Sequence, residues 1–344
     1  MRTRTIAMAA LGLALASGLV ACGSSSKTKS APATTATTAS TTPTPSGPTV
    51  QAGINDPKDP TVAVLQFMPA AVTVAVGAPL TWSWTGATEP HSVTFFPPGQ
   101  NPPTPDKADP LFPPTLATGP IDGTTFVNSG LQPLGPAPAK PMTVTFSKEG
   151  TYTYHCIIHP QMVGTVNVAA SGAESADAIK AKGDAEMAKW LDEGRAAKAK
   201  LAGTPAVKTA NSDGSTTWQV QTGASTPHTD ILAFGPLDKV KTGDKVTFIN
   251  SSGAPHTASF FNDTPPLQDP TDPKSLAPSP GPSPQTLAAT GLFNTGLLPP
   301  DAPPGQGPPV AARSFTFVAG AAGAFTYVCI FHVPSGMAAS LNVA

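Results

Sequence analysis

An internal repeat constrains the fold more than any other feature of this sequence. Residues 61–169 and residues 205–344 carry the same landmarks in the same order: a Phe-x-Pro segment, a Pro-His pair, two adjacent phenylalanines and a Tyr-x-Cys segment. Repetition on this scale indicates that one structural unit occurs twice. We therefore predict two tandem domains that share a fold.

Both repeats are punctuated like β-structure. Short apolar or alternating runs, such as residues 72–76, 80–84 and 245–249, are separated by glycine and proline, a pattern typical of strands and turns. The chain has 42 prolines among 344 residues, well above the usual share of ~5%. We predict an all-β protein in which each domain is a β-sandwich.

One stretch departs from this pattern. Residues 175–202 are rich in Ala, Lys, Glu and Asp, and Gly203-Thr204-Pro205 follows them, which is typical of a helix end. Residues 170–204 are therefore predicted to form a helical linker that packs along a sandwich. A helix that docks a partner is the alternative.

The N-terminus predicts export to a membrane surface. Two arginines precede an apolar run at residues 6–21, the layout of a secretory signal. The run is shorter than the roughly 20 residues of a bilayer-spanning helix, so a transmembrane anchor is the weaker alternative. Leu-Val-Ala-Cys, ending at Cys22, resembles a bacterial lipobox. We expect residues 1–21 to be a lipoprotein signal peptide, and Cys22 to carry lipid on the extracytoplasmic face of a bacterial cell membrane.

Composition limits the remaining possibilities. Residues 22–60 are mostly Ser, Thr, Ala and Pro, too polar to offset the entropy of ordering, and are predicted to form a disordered stalk. The chain has 20 Lys and Arg against 21 Asp and Glu, a formal net charge of −1. Because nucleic-acid binding needs clustered positive charge, we expect no nucleic-acid partner.

A Cys-His-Met motif ends each repeat and carries the chemistry. Its spacing is Cys-x-x-His-x-x-Met in the first repeat and Cys-x-x-His-x-x-x-x-Met in the second. Thiolate and thioether suit Cu(I), imidazole suits Cu(II), and two His, one Cys and a weak axial Met form the blue-copper set. Zinc would be expected to take a carboxylate or a second thiolate in place of Met. The candidate copper ligands are His91, Cys156, His159 and Met162 in the first repeat, and His256, Cys329, His332 and Met337 in the second.

With these motifs the sequence resembles the cupredoxin family of plastocyanin, amicyanin and pseudoazurin. The shorter motif is similar to that of amicyanin and the longer one to that of plastocyanin. The resemblance covers about residues 61–169 and 228–344. It implies Greek-key β-sandwiches, two type 1 copper ions per chain held by the eight candidate ligands, and a redox partner protein that docks near an exposed ligand histidine.

The other histidines and cysteines allow alternatives. A Cys156–Cys329 disulfide would suit an exported protein, but it would not explain the matched His and Met residues. His155 precedes the first cysteine, as in copper nitrite reductases, yet neighbouring side chains on a strand face opposite ways. Of 6 histidines, four predicted ligands leave His155 and His228, too few for a type 2 or trinuclear copper centre within one chain.

Two further residues are candidates for support of the sites. Ser92 and Thr257 directly follow the upstream histidines and are candidate hydrogen-bond donors that hold the ligand loop near the sulfur. The sequence as a whole favours a one-electron carrier that is not an enzyme. Copper storage or delivery without a redox role is the alternative, and an oxidase or nitrite reductase would require subunits to pool residues.

Overall fold

A computed structural model describes most of the chain from residue 47 onward. The described residues are 47–102, 113–133, 137–262, 276–281, 283–301 and 308–344. The predicted signal peptide, residues 1–21, and the predicted lipidation site Cys22 lie outside them. In the described part the chain is mostly β-strand with a single α-helix, as expected for a β-sandwich protein. No helix there is long and apolar enough to cross a bilayer.

Strands make up both halves of the molecule. In the first half (residues 47–169) they are β1 (Thr49–Asp56), β2 (Asp59–Met68), β3 (Ala71–Ala75), β4 (Pro79–Ser83), β5 (Thr94–Phe95), β6 (Val127–Asn128), β7 (Met142–Thr145), β8 (Gly150–His155) and β9 (Val163–Ala169). In the second half (residues 205–344) they are β10 (Val207–Ala210), β11 (Thr216–Ser225), β12 (Thr229–Phe234), β13 (Lys245–Asn250), β14 (Ser259–Phe261), β15 (Gln285–Leu287), β16 (Leu292–Asn294), β17 (Ser314–Ala319), β18 (Gly323–Val328) and β19 (Ala338–Val343).

The same strand pairings occur in each half. β1 pairs parallel with β4, and β11 pairs parallel with β13. The strands that flank the Cys-His-Met motif pair antiparallel, β8 with β9 and β18 with β19. Each half has its own small sheet, ordered β3-β9-β8-β5-β6 in the first and β16-β14-β18-β19 in the second. The repeated motif is therefore held by the same kind of strand pair twice.

A third sheet is shared by the two halves. Its order is β15-β17-β13-β11-β12-β2-β1-β4-β7, with β10 on β11. The halves meet where β2 and β12 pair antiparallel, with Ala63 opposite Asp230. Ala63 lies four residues before Phe67, and Asp230 lies four residues before Phe234, its counterpart in the second repeat. Equivalent residues thus face each other, so the halves are related by a local two-fold arrangement like that of a symmetric dimer.

Each half has an aromatic core of similar geometry. In the first, the Tyr154 ring centroid lies 4.6 Å from that of Phe67 and 5.1 Å from that of Trp82. In the second, Tyr327 lies 4.7 Å from Phe234 and 5.2 Å from Phe248. These tyrosines precede the motif cysteines by two residues on their strands. The core therefore fixes the strand that delivers each cysteine.

The helix α1 (Ala176–Ala202) packs against strands of both halves. It begins after Ser175, whose hydroxyl accepts a hydrogen bond from the Ala178 N–H, and ends at Gly203. It contacts β1 and β2 of the first half and β11 and β12 of the second. The approach is close, because a Cβ at Gly194 would lie 2.4 Å from Val62 Cγ1. The helix covers the joint between the halves.

The predicted stalk, residues 22–60, extends too far along the chain. β1 occupies Thr49–Asp56, where Val50 and Ala52 are fully buried in the core of the first half. The local composition is polar, but pairing with β2 and β4 satisfies the backbone and buries these two small apolar side chains. Residues 49–56 are ordered by strands that are distant in sequence, and the local amino-acid composition carries no information about those strands.

Candidate metal centres

The first candidate centre gathers residues from two loops. His91 lies between β4 and β5, while Cys156 and His159 follow β8. His91 Nδ1 is 3.1 Å from His159 Nδ1, and Cys156 Sγ is 3.4 Å from the same nitrogen. One donor atom from each of the three residues lies within 4.8 Å of the others, so the group could hold a metal ion.

The second candidate centre repeats this geometry. His256 Nδ1 is 3.1 Å from His332 Nδ1, and Cys329 Sγ is 3.2 Å from that same nitrogen. Its donor atoms meet the same 4.8 Å limit. Both cysteines are free and buried, so the described thiols form these two groups and not a disulfide.

The predicted methionines are buried beside their cysteines. Met162 is 0% exposed and Met337 is 1% exposed. The carbonyl of each methionine accepts a hydrogen bond from the N–H of its cysteine, at 3.0 Å for Cys156 and 3.1 Å for Cys329. The structure thus brings all eight predicted ligands into two places, four in each.

Ser92 and Thr257 support the ligand loops, although differently from the sequence prediction. Their backbone N–H groups, not their hydroxyls, donate to the cysteine sulfurs, each at 3.4 Å. The hydroxyls instead accept from the N–H of Ile157 at 3.0 Å and of Ile330 at 3.1 Å. Each residue therefore ties the upstream histidine loop to the loop that carries cysteine. Because the sulfur contact is made by the backbone, it does not depend on the side chain.

The electrostatics favour thiolates. Burial alone would raise the pKa of the Cys156 thiol, but the charge of His159 and hydrogen bonds from His159 and His91 hold it well below its ordinary value. The pKa of Cys329 is lowered in the same way, with burial opposed chiefly by His332. The thiolate is the form of cysteine that binds metals. Both cysteines are therefore in the form that binds a cation. Despite burial, the same pairing raises the pKa of His159 and of His332, so metal binding would displace a proton from each downstream histidine.

The upstream histidines are held in their neutral form. Burial lowers the pKa of His91, and burial together with the charge of His332 lowers that of His256 well below its ordinary value. Neutral imidazole is the form that ligates a metal. Two imidazole nitrogens, one thiolate and a buried thioether fit copper, whereas neither group contains the carboxylate or second thiolate expected for zinc.

Two glycines make room for the upstream histidines. Gly53 has φ +67°, and a Cβ there would lie 2.1 Å from His91 Nε2. Gly223 has φ +70°, and a Cβ there would lie 2.4 Å from His256 Nε2. Both glycines lie on the first long strand of their half, β1 and β11. Sequence reasoning missed them, although a glycine inside a strand is a recognised sign of close approach.

The second centre has two hydrogen-bond partners that have no counterpart in the first among the described residues. Ser252 Oγ lies 2.7 Å from His256 Nε2. Glu89 of the first half lies 3.2 Å from His332 Nε2 through its Oε2. Both contacts occupy the nitrogen remote from the thiolate and leave Nδ1 for a metal, as outer partners of metal-binding histidines generally do. No motif in the sequence singled out either residue, because Glu89 reaches its partner only through the contact between the halves.

His332 is consequently covered. It is 2% exposed, whereas His159 is partly exposed. The resemblance implied that a redox partner docks near an exposed ligand histidine, and of the two downstream histidines His159 is the more exposed. The first half closes over the second centre: Ala63 and Leu65 of β2 share a buried cluster with Cys329 and Met337, and Glu89 lies against His332.

A buried carboxylate occupies the centre of the joint between the halves. Asp230 is 2% exposed and accepts a hydrogen bond from Ser225 Oγ, while its Oδ2 has no hydrogen-bond partner among the described residues. Burial raises its pKa, opposed by the Ser225 hydrogen bond and by the charges of His159 and His332. One side chain at the local two-fold position therefore acts electrostatically on both centres.

The two remaining histidines lie outside both centres. His155 is half-buried on β8, with its ring centroid 6.0 Å from that of Phe96. His228 stacks on Trp190 at 3.5 Å between ring centroids and lies 3.1 Å from Glu193 through Nδ1. It joins the turn between β11 and β12 to the helix. Among the described residues, neither histidine belongs to a group that could hold a metal.

Comparisons with known proteins bear on the first half. Residues 58–169 match the family model described as copper binding proteins of the plastocyanin/azurin family. The match covers about a third of the chain. No curated protein matches the chain.

Solved structures of amicyanin are among those similar to this chain. A reduced Cu(I) form of a mutant amicyanin at pH 4 is 20% identical, with a TM-score of 0.24, and the match covers 37% of this chain and 87% of that one. Amicyanin from Paracoccus versutus (Thiobacillus versutus) is 18% identical, also with a TM-score of 0.24, covering 37% and 86%.

Proposed function

We propose that the protein is a one-electron carrier with two type 1 copper sites in tandem cupredoxin domains. The observation that carries this proposal is the convergence, twice, of two imidazole nitrogens and one thiolate within 4.8 Å, each beside a buried methionine. His91, Cys156, His159 and Met162 would hold one ion, and His256, Cys329, His332 and Met337 would hold the other. The family match of residues 58–169 supports copper as the metal.

Bound copper would supply reversible one-electron redox chemistry. The chain's contribution is a donor set that is already assembled and buried. Hydrogen bonds from Ser92 and Thr257 lock the loops around each sulfur, and the aromatic cores hold the cysteine strands. Ligands that are held in place this way need little rearrangement when the charge of the ion changes. Such rigidity suits electron transfer more than metal release.

We further propose how the carrier meets its environment. A redox partner protein would approach the first site, because His159 is partly exposed while His332 is 2% exposed. Pro160 and Gln161, which follow His159, are exposed as well. Lipid on Cys22 would hold the protein on the extracytoplasmic face of a bacterial membrane, with the N-terminal segment as a tether.

Copper storage or delivery is the second candidate. A delivery protein has to release its ion to an acceptor, which favours exposed and exchangeable ligands. Only the first site has a partly exposed ligand histidine, so delivery is better supported there than at the second site. Catalysis by an oxidase or nitrite reductase has no such support, since the metal-binding groups among the described residues are the two above.

The test is the copper content and visible absorption of the chain lacking residues 1–22, oxidised and then reduced with ascorbate. The carrier predicts two coppers per chain and an intense thiolate-to-Cu(II) band that disappears on reduction and returns on reoxidation. A colourless protein that binds Cu(I) and yields it to a chelator would support storage or delivery instead. Turnover of nitrite or a phenol by the pure copper-loaded protein would contradict the carrier.

A further inference from the structure

Glu89 is a buried carboxylate that belongs to one half and serves the other. It is 8% exposed and lies two residues before His91 in the first half. Its Oε2 is 3.2 Å from His332 Nε2 in the second centre. A carboxylate of the first half thus abuts a predicted copper ligand of the second.

The second centre's longer loop holds this carboxylate in place. Ser335 Oγ donates to Glu89 Oε1 at 2.9 Å, and Thr88 Oγ1 lies 2.7 Å from the same serine oxygen. Ser335 lies in the Cys-x-x-His-x-x-x-x-Met loop, which is two residues longer than its counterpart in the first half. Both carboxylate oxygens of Glu89 are therefore engaged by residues of the second centre. A side chain bound at both oxygens cannot swing away from His332.

In the described part of the chain, the first centre has no equivalent of this carboxylate. The residue two positions before His256, in the place that Glu89 takes before His91, is Ala254. Ala254 has no side-chain acceptor, and no carboxylate hydrogen bond to His159 is found among the described residues. The two centres therefore share a donor set and differ in whether a carboxylate is bonded to the downstream histidine.

Resting on the proposed function, we propose that Glu89 is a positioning residue for the second copper site and makes that site the harder of the two to reduce. The carboxylate keeps the proton of His332 on Nε2 and the lone pair of Nδ1 toward the metal. It also increases electron donation by the imidazole, as outer carboxylates do for metal-bound histidines. A negative charge in a buried, weakly polar environment favours Cu(II) over Cu(I).

The test is Glu89→Gln in the full copper-loaded chain, measured by spectroelectrochemical titration. Glutamine keeps the size and an acceptor oxygen but removes the charge. Each site is observed alone by silencing the other, with Cys156→Ser to isolate the second site and Cys329→Ser to isolate the first. The matched control is Glu149→Gln, which removes a charge from an exposed residue of the same half.

We expect Glu89→Gln to change the preference of the second site for Cu(II) over Cu(I) by about tenfold toward Cu(I), a rise in potential of about 59 mV for one electron. The first site should shift by less than the second, because Glu89 makes no hydrogen bond to the described first-site ligands, and Glu149→Gln should leave both sites unchanged. An unchanged second-site potential, or an equal shift at both sites, would overturn the inference. A wild-type chain without a thiolate-to-copper band would instead contradict the proposed function, so the two failures are distinguishable.

A measurement on the wild-type chain does not depend on any variant folding. In the metal-free and in the diamagnetic Cu(I)-loaded protein, NMR should show a proton on His332 Nε2 that is shifted downfield and slow to exchange with water. His159, which has no hydrogen-bonded carboxylate among the described residues, should show no such proton. Fast exchange at His332 in both forms would overturn the role of Glu89.

Discussion

The two candidate centres have nearly the same inner geometry and different surroundings. The distance between histidine Nδ1 atoms is 3.1 Å in both, and the distance from sulfur to the downstream nitrogen is 3.4 Å in the first and 3.2 Å in the second. The second centre adds Ser252 on one histidine and Glu89 on the other. The local motif therefore sets the donor atoms of each centre, whereas the contact between the halves sets the polarity and burial around them.

The difference also divides the two sites by accessibility. The first centre keeps a partly exposed histidine, His159. The second is closed by the first half, which contributes Ala63, Leu65 and Glu89 to its surroundings. Although the halves repeat the same strand pairings and donor residues, residues of the first half cover the second centre. An external partner protein would therefore reach His159 of the first site more readily than His332 of the second.

Removing either thiolate should separate the centres most completely. Cys156→Ser should abolish the band of the first site and Cys329→Ser that of the second, each leaving about half of the thiolate-to-copper absorbance, because the charge-transfer band needs the sulfur. The double variant should be colourless. Absorption and copper content of the three variants measure this. Loss of both bands from either single variant would contradict two separate sites.

Substituting the glycine behind His91 should damage only the first centre. In Gly53→Ala the new Cβ would lie 2.1 Å from His91 Nε2, so the ring must move, and copper affinity at the first site should fall by about tenfold or more. Gly77→Ala is the matched control, since Gly77 has φ +79° and open space around its Cβ position. It carries the same backbone strain without the collision.

Competition with a Cu(I) chelator measures these affinities. Equal losses in the two variants would mean that strain, and not contact with His91, sets the effect. The same pair of measurements at the second site should show no loss in either variant, because His256 rests against Gly223 instead.

These glycines mark the limit of what the sequence alone predicts. The eight ligand candidates could be found because Cys-x-x-His and Pro-His recur at matched positions, and the strand pattern pointed to β-sandwiches. The contacts of Glu89 could not be found from the sequence, since Ser335 and His332 follow Glu89 by more than 240 residues. No local pattern encodes a contact between halves. Strand β1 was missed for a similar reason: its own sequence is polar, and the strands that pair with it follow later in the chain.

Ser252 offers a way to make the second centre more like the first. Ser252→Ala removes the hydroxyl 2.7 Å from His256 Nε2, and the first half has Ala87 at the same position relative to its histidine. We expect second-site copper affinity to fall by up to about tenfold. Chelator competition measures it, with Ser251→Ala as the neighbouring control. An unchanged affinity would show that Gly223 and packing alone orient His256.

The smallest expected effect is that of Ser335→Ala, which loosens Glu89 without removing its charge. The bond from Ser335 Oγ to Glu89 Oε1 is lost, and Thr88 loses the same partner, while the contact of Glu89 with His332 remains. Leaving buried polar atoms unpaired costs about 1–3 kcal/mol of folding stability.

The second-site preference for Cu(II) should move in the same direction as in Glu89→Gln but by less than about threefold, since the negative charge beside His332 persists. Thermal unfolding and redox titration of the same sample separate the two effects. A shift as large as that of Glu89→Gln would mean that the longer loop, by holding the carboxylate still, accounts for the whole difference between the centres. No shift at all would mean that the charge acts on His332 without being held by the loop.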